Sequence, residues 1–448
     1  MTGASSAFLD SVAPFYALPP SSIPDAARAV ARQSILDWFG CALAGSREPL
    51  SNILRQDLAA GGPVTVVGTG LRASALDAAL INGAAGHALD YDDTHLAMTG
   101  HPTAPILPAV LALAEEADAP GEDVLTAFVT GVEVACRLGL YIGGEHYRLG
   151  WHTTGTVGTV GAAAACARLR GLDEEAFRNA LNLAATQAAG LKASFGSMAK
   201  PLHAGKAAMN GLLSARLAAR EFVGASNAFE GAEGLLAAGA AGKADPAALE
   251  AATGRWLIND MLFKYHASCY LTHAAINAAA TILPGLDSET PESVEVRVHP
   301  SLMGVCGIPQ PASGLELKFS LRGTVAMALL GLDTADAATF TEDLARRDDL
   351  VALRDRVTIV TDPGVVRTVA TIAAMTRTGR HEVATYDTGK PERDLDLQQR
   401  RLSSKFRGLA GPVVGPQVAR ELESHIDRLE ALPSARHLLS LASTPVPV

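Results

Sequence analysis

Residues 22–45 read SIPDAARAVARQSILDWFGCALAG, and this stretch decides the fold class. Ile23, Ala27, Val30, Ser34 and Trp38 recur at spacings of three and four, which places them on one face of a helix. Ser22 is a candidate N-cap, Pro24 falls in the first turn and Gly45 stops the pattern. The same period returns in ALDAALINGAAGHAL (75–89), ILPAVLALAEEA (106–117), EDVLTAFVTGVEVACRLG (122–139), TVGTVGAAAACARLRG (156–171), EEAFRNALNLAATQAAG (174–190) and HAGKAAMNGLLSARLAAREF (203–222). These segments carry Ala and Gly on their apolar sides, where small residues let helix axes approach closely. Residues 1–264 are therefore predicted to form a tightly packed helical domain.

The character changes beyond Lys264. A helix around Thr272–Leu283 is followed by β-type runs, SVEVRVH (293–299), LELKFSL (315–321), RVTIVTD (356–362), VATIAAM (369–375) and HEVATY (381–386), alternating with helical GTVAMALLG (323–331) and AATFTEDLARR (337–347). Strands mixed with helices predict a compact α+β domain over 265–395. Residues 396–448 return to helix in LQQRRLSSKFRGLAG (397–411) and QVARELESHIDRLEAL (417–432), and are expected to rejoin the first domain.

The 448 residues include 37 Lys+Arg against 47 Asp+Glu, a formal net charge of −10. Hydrophobic residues at 48% and charged ones at 19% describe a folded chain and exclude a disordered one. The acidic balance, without a Lys/Arg block, argues against a nucleic-acid partner, whose phosphates demand a basic face. No unbroken apolar run predicts a membrane span. The N-terminal MTGASSAFLDSVAPFYALPP lacks a basic segment before its apolar residues, so no signal peptide is expected. Cys41, Cys136, Cys166, Cys269 and Cys306 are scattered and odd in number, which fits buried thiols in a reducing compartment. A cytoplasmic globular protein is the expectation.

VTVVGTGLRASALDAAL (64–80) imitates a dinucleotide-binding fingerprint: a strand, Gly68-x-Gly70-x-x-Ala73, then a helix, with Asp90 downstream. The segment that follows, INGAAGHALDYDD, has one β-branched residue in its apolar part, and no βαβ series continues. A glycine-containing turn is the expected reading, and no cofactor is assigned.

Chemistry concentrates in HALDYDDTHLAMTGHPTAPILP (87–108), which brings Asp90, Asp92, Asp93, Thr94, His95 and His101 together. Carboxylates and imidazole suit a divalent metal; Asp and Thr also cap helix ends; and the same groups suit an acid/base site. A Mg-diphosphate enzyme would need a second acidic motif and an Arg set, and neither is present. RLGWHTTGTVG (148–158) adds His152. GLKASFGSMAKPLHAGKAAMNG (190–211) adds Lys192, Lys200, His203 and Lys206, expected in a Gly/Pro-broken loop, with no acidic residue from Ala176 to Arg220. A solvated cationic face is normally interleaved with carboxylates, so these lysines predict a pocket for a small anion. FKYHASCYLTHAA (263–275) adds Lys264, His266 and His273. Cations with nearby proton donors and acceptors fit abstraction of a proton next to a carboxylate, followed by elimination, decarboxylation or reprotonation.

In this order, NGAAGHALDYDDTH, GHPTAPILPAVLALAE, GWHTTGTVG, MAKPLHAGKAA, FKYHASCYLTH, the expected strand LELKFSL and LSSKFRGLAG resemble the MmgE/PrpD family, which includes 2-methylcitrate dehydratase, cis-aconitate decarboxylase and iminodisuccinate epimerase. The resemblance implies a mainly α protein with a large all-helical domain built from both chain ends, a smaller α+β lid domain, a homodimer, and no metal or organic cofactor. It implies catalytic positions at Asp90, Thr94, His101, His152, Lys200 and Lys264. On that pattern Lys200 and Lys264 hold substrate carboxylates, Asp90 and Thr94 orient the substrate or a histidine, and His101 and His152 exchange protons on opposite sides of the reacting carbon. His203, Lys206, Lys192 and Arg322 are further candidates for substrate binding.

Decarboxylase-like members of the family tend to carry a Tyr shortly after the KFS segment; here KFSLRGTVA has Gly323 at that place, beside Arg322. The expected activity is therefore dehydration of a small hydroxy-polycarboxylate resembling 2-methylcitrate. Epimerisation of an imino- or amino-dicarboxylate is the alternative, followed by cis-aconitate-type decarboxylation and by a silent anion-binding protein. The expected partner is a di- or tricarboxylate, with no nucleic acid and no membrane.

Overall fold

The computed structural model describes residues 6–286 and 289–443; the first five residues of the N-terminal stretch discussed above lie outside them. Contacts divide the chain into two compact units, Met1–Phe263 with Arg393–Val448, and Lys264–Glu392.

The first unit is helical. Its main helices are α1 (Asp25–Gly45), α2 (Ala75–His87), α3 (Thr103–Ala117), α4 (Gly121–Arg148), α5 (Thr153–Leu169), α6 (Glu174–Ala185) and α7 (Ala199–Ala218). The five positions read as one face of α1 and its approach are all buried, and Gly45 is its last residue. Pro24, not Ser22, occupies the N-cap; Ser22 belongs to a preceding 3-10 turn, Pro20–Ser22. The fixed φ of Pro24 sets the extended entry, and no side-chain cap is made there.

Helix α7 packs against α2, α3, α5 and α6. It meets α2 where Gly83 faces Gly205: a Cβ on Gly205 would lie 2.2 Å from the Leu80 carbonyl oxygen, and one on Gly83 would lie 2.9 Å from Gly205 Cα. Only glycines permit that approach, and it brings the C-terminal end of α2 beside the first turns of α7. Helix α4 has the length and composition of a membrane span, but 94% of its apolar window is buried within the protein. Cys41, Cys136, Cys166 and Cys306 are buried free thiols, and Cys269 is partly exposed.

The fingerprint-like stretch forms two-residue strands, β1 (Val64–Thr65) and β2 (Arg72–Ala73), paired antiparallel as a hairpin before α2. Its glycines turn a hairpin, and no parallel strand follows.

The second unit holds a four-stranded sheet of β3 (Ser293–Val298), β4 (Val357–Thr361), β5 (Val369–Met375) and β6 (His381–Asp387), in the order β4-β3-β5-β6. β3 runs parallel to β4, while the β3–β5 and β5–β6 pairs are antiparallel. Val294, Val296, Val298, Ala370, Ile372 and Ala374 are buried at alternate positions of β3 and β5. Helix α8 (Tyr270–Ile282) packs on β5, β6 and helix α9 (Leu321–Leu329). One expected strand is absent. LELKFSL holds a short helix, Gly314–Leu317, capped by Ser313 accepting the Glu316 N–H, and a turn before Ser320 caps α9. After Glu392 the chain returns to the first unit with α10 (Leu395–Val414), which packs on α1, and α11 (Pro416–Asp427).

Candidate active site

The segment linking α2 to α3 folds into a braced loop. Asp93 accepts the hydroxyl and, at 3.4 Å, the backbone N–H of Thr103, holding the start of α3, and burial keeps its carboxyl well above the usual carboxylate range. His95 donates from Nε2 to the Leu257 carbonyl at 2.8 Å and accepts the Ala97 N–H at Nδ1, so it serves the loop. Thr94 pairs through its backbone with Leu262, and its hydroxyl donates to the Gly100 carbonyl at 3.1 Å. The His101 N–H donates to Thr154 Oγ1 at 3.1 Å, and Thr153 Oγ1 donates to the Thr99 carbonyl at 2.7 Å, fastening the loop to the start of α5. Capping and bracing thus account for Asp93 and His95 and give Thr94 a bracing contact, while a catalytic part for Thr94 rests on the family pattern.

Asp90, Asp92 and His101 do something else. Asp92 is buried, with His87 Nδ1 at 2.9 Å from one oxygen and His101 Nδ1 at 3.2 Å from the other. Burial alone would raise this carboxyl, but the charges and hydrogen bonds of His101 and His87 outweigh it and draw it well below the usual range. His87, fully enclosed, is pushed down from 6.5 to about 4 by burial, against the pull of Asp92. It is therefore neutral near pH 7, with its proton on Nδ1 toward Asp92, and its buried Nε2 has no hydrogen-bond partner among the described residues.

Asp90 adopts φ +49°, a left-handed conformation that Asp tolerates. Its side chain is 42% exposed, Lys200 Nζ stands 2.7 Å from its Oδ1, and His101 Nε2 lies 3.6 Å from the same oxygen. Lys200 lies in the first turn of α7, and Phe195 sits below its ammonium at 5.5 Å. His152, the N-cap residue of α5, packs its ring on Phe195 at 5.0 Å and lies 5.9 Å from the His87 ring. Its Nδ1 is 3.0 Å from His203 Nδ1. Burial, then the charges of His87, Lys200, His101 and His203, drives His152 far below the ordinary histidine range; burial and Lys200 lower His203.

The structure thus gathers Asp90, His101, His152, Lys200 and His203 in one cluster and adds His87 and Asp92 to it. His87 was read only as part of a helix, and Asp92 was counted in the acidic stretch without a role. The i, i+5 spacing of the two was the available signal. A third addition is Lys405 of α10: its ammonium is buried, 2.6 Å from Asp37 Oδ1 and 2.6 Å from the Tyr91 carbonyl, so the C-terminal helix anchors the loop next to Asp92.

Several expectations need correction. Lys200, His203 and Lys206 lie on helix α7, not in a broken loop, because Pro201 sits in the first turn, where its missing N–H costs no hydrogen bond. Lys192 is held over the Tyr147 ring at 3.8 Å and donates to the Tyr147 carbonyl at 3.0 Å. Lys206 is exposed and lines a separate cavity of about 250 Å³ with Thr159, Gly190, Ser194, His203 and Asn210. Lys264 and Arg322 belong to the second unit, Lys264 as its first residue and Arg322 in α9; a part for them in substrate binding rests on the family pattern. In the same unit His266 is bonded to Thr334 and Asn277, and His273 to the Ser268 carbonyl, as structural histidines are.

Ligand atoms of His87, Asp90, Asp92 and His101 lie within 4.8 Å of one another, close enough to surround a cation. The Lys200 ammonium already takes the Asp90 oxygen such an ion would use and adds like charge beside it. Asp92 is likewise engaged by both imidazoles, so the group reads as an ion-pair network. A neutral buried imidazole, an imidazole backed by a carboxylate and an ammonium beside them can move protons next to a bound anion.

Comparison with known proteins shows the family. The MmgE/PrpD N-terminal domain model matches residues 15–247 and the MmgE/PrpD C-terminal domain model matches residues 266–431. The cis-aconitate decarboxylase of Aspergillus terreus is 28% identical over 470 aligned positions, covering 96% of this chain and 94% of that protein. That of Homo sapiens is 29% identical over 389 positions, covering 83% and 80%. The cis-aconitate decarboxylase-like protein oryM of Aspergillus oryzae is 32% identical over 280 positions, and that match spans 58% of each chain. With both of its domain models matched in order along the sequence, the chain belongs to the MmgE/PrpD family.

Proposed function

We propose that this protein is a lyase that removes the proton next to a carboxylate of a small hydroxy-polycarboxylate, resembling 2-methylcitrate, and expels water without a cofactor. The observation that carries the proposal is the presence of two separate proton-handling pairs, His152–His203 and His101–Asp92, beside one ammonium, Lys200. Dehydration needs a base at carbon and an acid at the departing hydroxyl in the same turnover, and two pairs supply both. Their surroundings divide the labour. His152 is buried close to the Lys200 ammonium and stays neutral, so its lone pair is free to accept a proton, although the same burial weakens it as a base unless its charge is passed on. His101 has the Asp92 carboxylate at 3.2 Å to balance a positive charge, which suits the acid. Lys200 seats a substrate carboxylate and stabilises the enediolate-like charge that follows proton loss.

Decarboxylation is the second reading, favoured by the names of the relatives. It needs the same seat but a single acid to protonate the carbanion. Gly323 stands where decarboxylase-like members tend to carry a Tyr, so a phenol for that protonation is missing at this position. Epimerisation would begin with the same proton loss.

One incubation in deuterated water separates these outcomes. The substrates are a panel of hydroxy-polycarboxylates together with cis-aconitate. Dehydration yields the ultraviolet absorbance of a conjugated alkene acid without gas, and decarboxylation releases CO2 in step with substrate loss. Epimerisation places deuterium at the stereocentre with neither product. If none appears, while ligands still bind and Lys200→Ala weakens them, the protein is an anion binder and the proposal fails. We also propose a homodimer, on the family pattern; sedimentation velocity should give about twice the chain mass of 46.3 kDa.

A further inference from the structure

His152 and His203 approach each other because two glycines allow it. Gly190, at φ +142°, accepts the His152 N–H on its carbonyl at 2.9 Å. A Cβ on it would lie 3.2 Å from His203 Cγ and 3.5 Å from His152 Cβ. A Cβ on Gly155, in the first turn of α5, would lie 2.4 Å from the Ala189 carbonyl oxygen and 3.2 Å from His203 Cβ. With both positions bare, the two rings stand Nδ1 to Nδ1 at 3.0 Å. Two ring nitrogens at that distance share a hydrogen bond only if one carries the proton and the other presents its lone pair.

We propose that His203 is the proton partner of His152: it holds the His152 proton on Nδ1, so that Nε2 is the free base, and it receives that Nδ1 proton when Nε2 takes one from the substrate. This inference rests on the lyase reading above. The step balances as follows. The substrate C–H bond breaks and its electron pair stays with the substrate, while a new N–H bond forms at His152 Nε2. The His152 Nδ1–H bond breaks and a His203 Nδ1–H bond forms. His152 ends neutral as the other tautomer, and the positive charge resides on His203.

The environments favour that direction. His152 is 2% exposed and faces His87 from the end of α2, His101 from the braced loop, Lys200 and His203 from α7, and the Phe195 ring. The nearby carboxylates, Asp90 and Asp92, are engaged by Lys200, His87 and His101. A charge is therefore poorly tolerated on His152. His203 is half-buried and lines the cavity of about 250 Å³ that also contains Lys206, Ser194 and Asn210. Water there can solvate an imidazolium and carry its proton away. Lys200, one turn earlier on α7, opposes the charge on His203. A substrate carboxylate on Lys200 offsets that opposition, so the transfer is enabled by occupancy.

The test has one arm that does not require turnover. Ring 15N spectra of the histidine-labelled, full-length resting protein should show the Nδ1–H on His152 bonded to the Nδ1 lone pair of His203, a pairing lost in His203→Gln; a proton resting on His203 Nδ1 instead would overturn the proposal. Two rings titrating independently would overturn the proposal, whatever reaction the protein catalyses. In the kinetic arm, run with whichever acid the panel identifies, His203→Gln keeps an acceptor for His152 Nδ1–H but cannot take up the proton. It should lower kcat by about 10- to 100-fold with KM nearly unchanged, and move the acidic limb of the kcat profile. A rise in KM alone would return His203 to substrate binding and overturn the relay.

Discussion

Replacing His87 with Gln isolates one proton's worth of stability. His87 is enclosed in the first unit, and its folded pKa is about 4 against an ordinary 6.5. A histidine lowered on folding is neutral in the native state, while the unfolded chain takes up its proton as pH falls below the ordinary value. The native state therefore loses stability from about pH 6.5 downward, until it too is protonated near pH 4. Between about pH 7 and about pH 5, linkage gives a loss of roughly 2 kcal/mol from His87 alone. Other groups titrate in the same range with both signs. His95, His146, His152 and His203 are lowered as well, whereas Asp93 and Glu133 are raised by burial and gain stability as pH falls. The total slope is thus no test of one residue; the difference between parent and His87→Gln removes the groups distant from His87 and leaves its own term together with the changes at its neighbours Asp92 and His152.

The assay follows from the sequence. Trp38, Trp151 and Trp256 are the three tryptophans, and all lie in the first unit, so tryptophan fluorescence during urea unfolding reports that unit. The parent should lose about 2 kcal/mol more than the variant between the two pH values. Equal losses, within about 0.5 kcal/mol, would refute the claim that His87 is held neutral against Asp92.

Lys405→Met removes the buried ammonium from between Asp37 and the Tyr91 carbonyl, and should cost about 3–5 kcal/mol in the same urea assay. Adding Asp37→Asn should return part of that, since the stranded carboxylate is the larger penalty. Lys200→Ala should lower kcat/KM by about 100- to 1000-fold on the substrate the panel identifies. The first unit's urea midpoint should barely move, because the partner Asp90 is 42% exposed. Asp90→Asn should weaken kcat more than KM, as expected of a group that acts on His101 rather than on the substrate carboxylate; a change confined to KM would contradict that role.

The spacing of apolar residues was enough to find α1 to α7, because long amphipathic or Ala-rich periods have few alternatives. LELKFSL failed for the opposite reason: seven alternating residues satisfy a strand and a short helix equally. The deciding signals were Ser313 three residues before Glu316, a capping pattern, and Ser320 before α9. Within the site, a stretch dense in Asp and His brought Asp90 and His101 forward, GWHTTG brought His152, and a lack of neighbouring carboxylates brought Lys200. The same rule overreached at Lys192, whose charge is held at Tyr147, since a π face and a carbonyl leave no mark in a count of acids. His87 and Asp92 offered only their i, i+5 spacing, and Lys405 offered no signal, because their roles depend on what surrounds them. A histidine in the last turn of a helix and a lysine in an amphipathic one are ordinary until tertiary packing encloses them.

That enclosure also bears on how an acidic chain can bind an anion. Lys200 is not idle in the resting structure; it holds Asp90 at 2.7 Å, and His101 stands 3.6 Å from the same oxygen. Of the two partners the lysine is the more fixed, with 15% of its side chain exposed against 42% for the aspartate. On the proposed chemistry, an arriving carboxylate takes the ammonium and Asp90 is the group that gives way. The released carboxylate keeps His101 Nε2 at 3.6 Å from its Oδ1, so binding at Lys200 leaves uncompensated negative charge beside the imidazole assigned to protonate the leaving group. Asp92 supplies that imidazole's permanent counter-charge and Asp90 the conditional one. A site in which the substrate must displace an internal carboxylate loses some affinity, and in exchange gathers negative charge beside its acid only when substrate is bound.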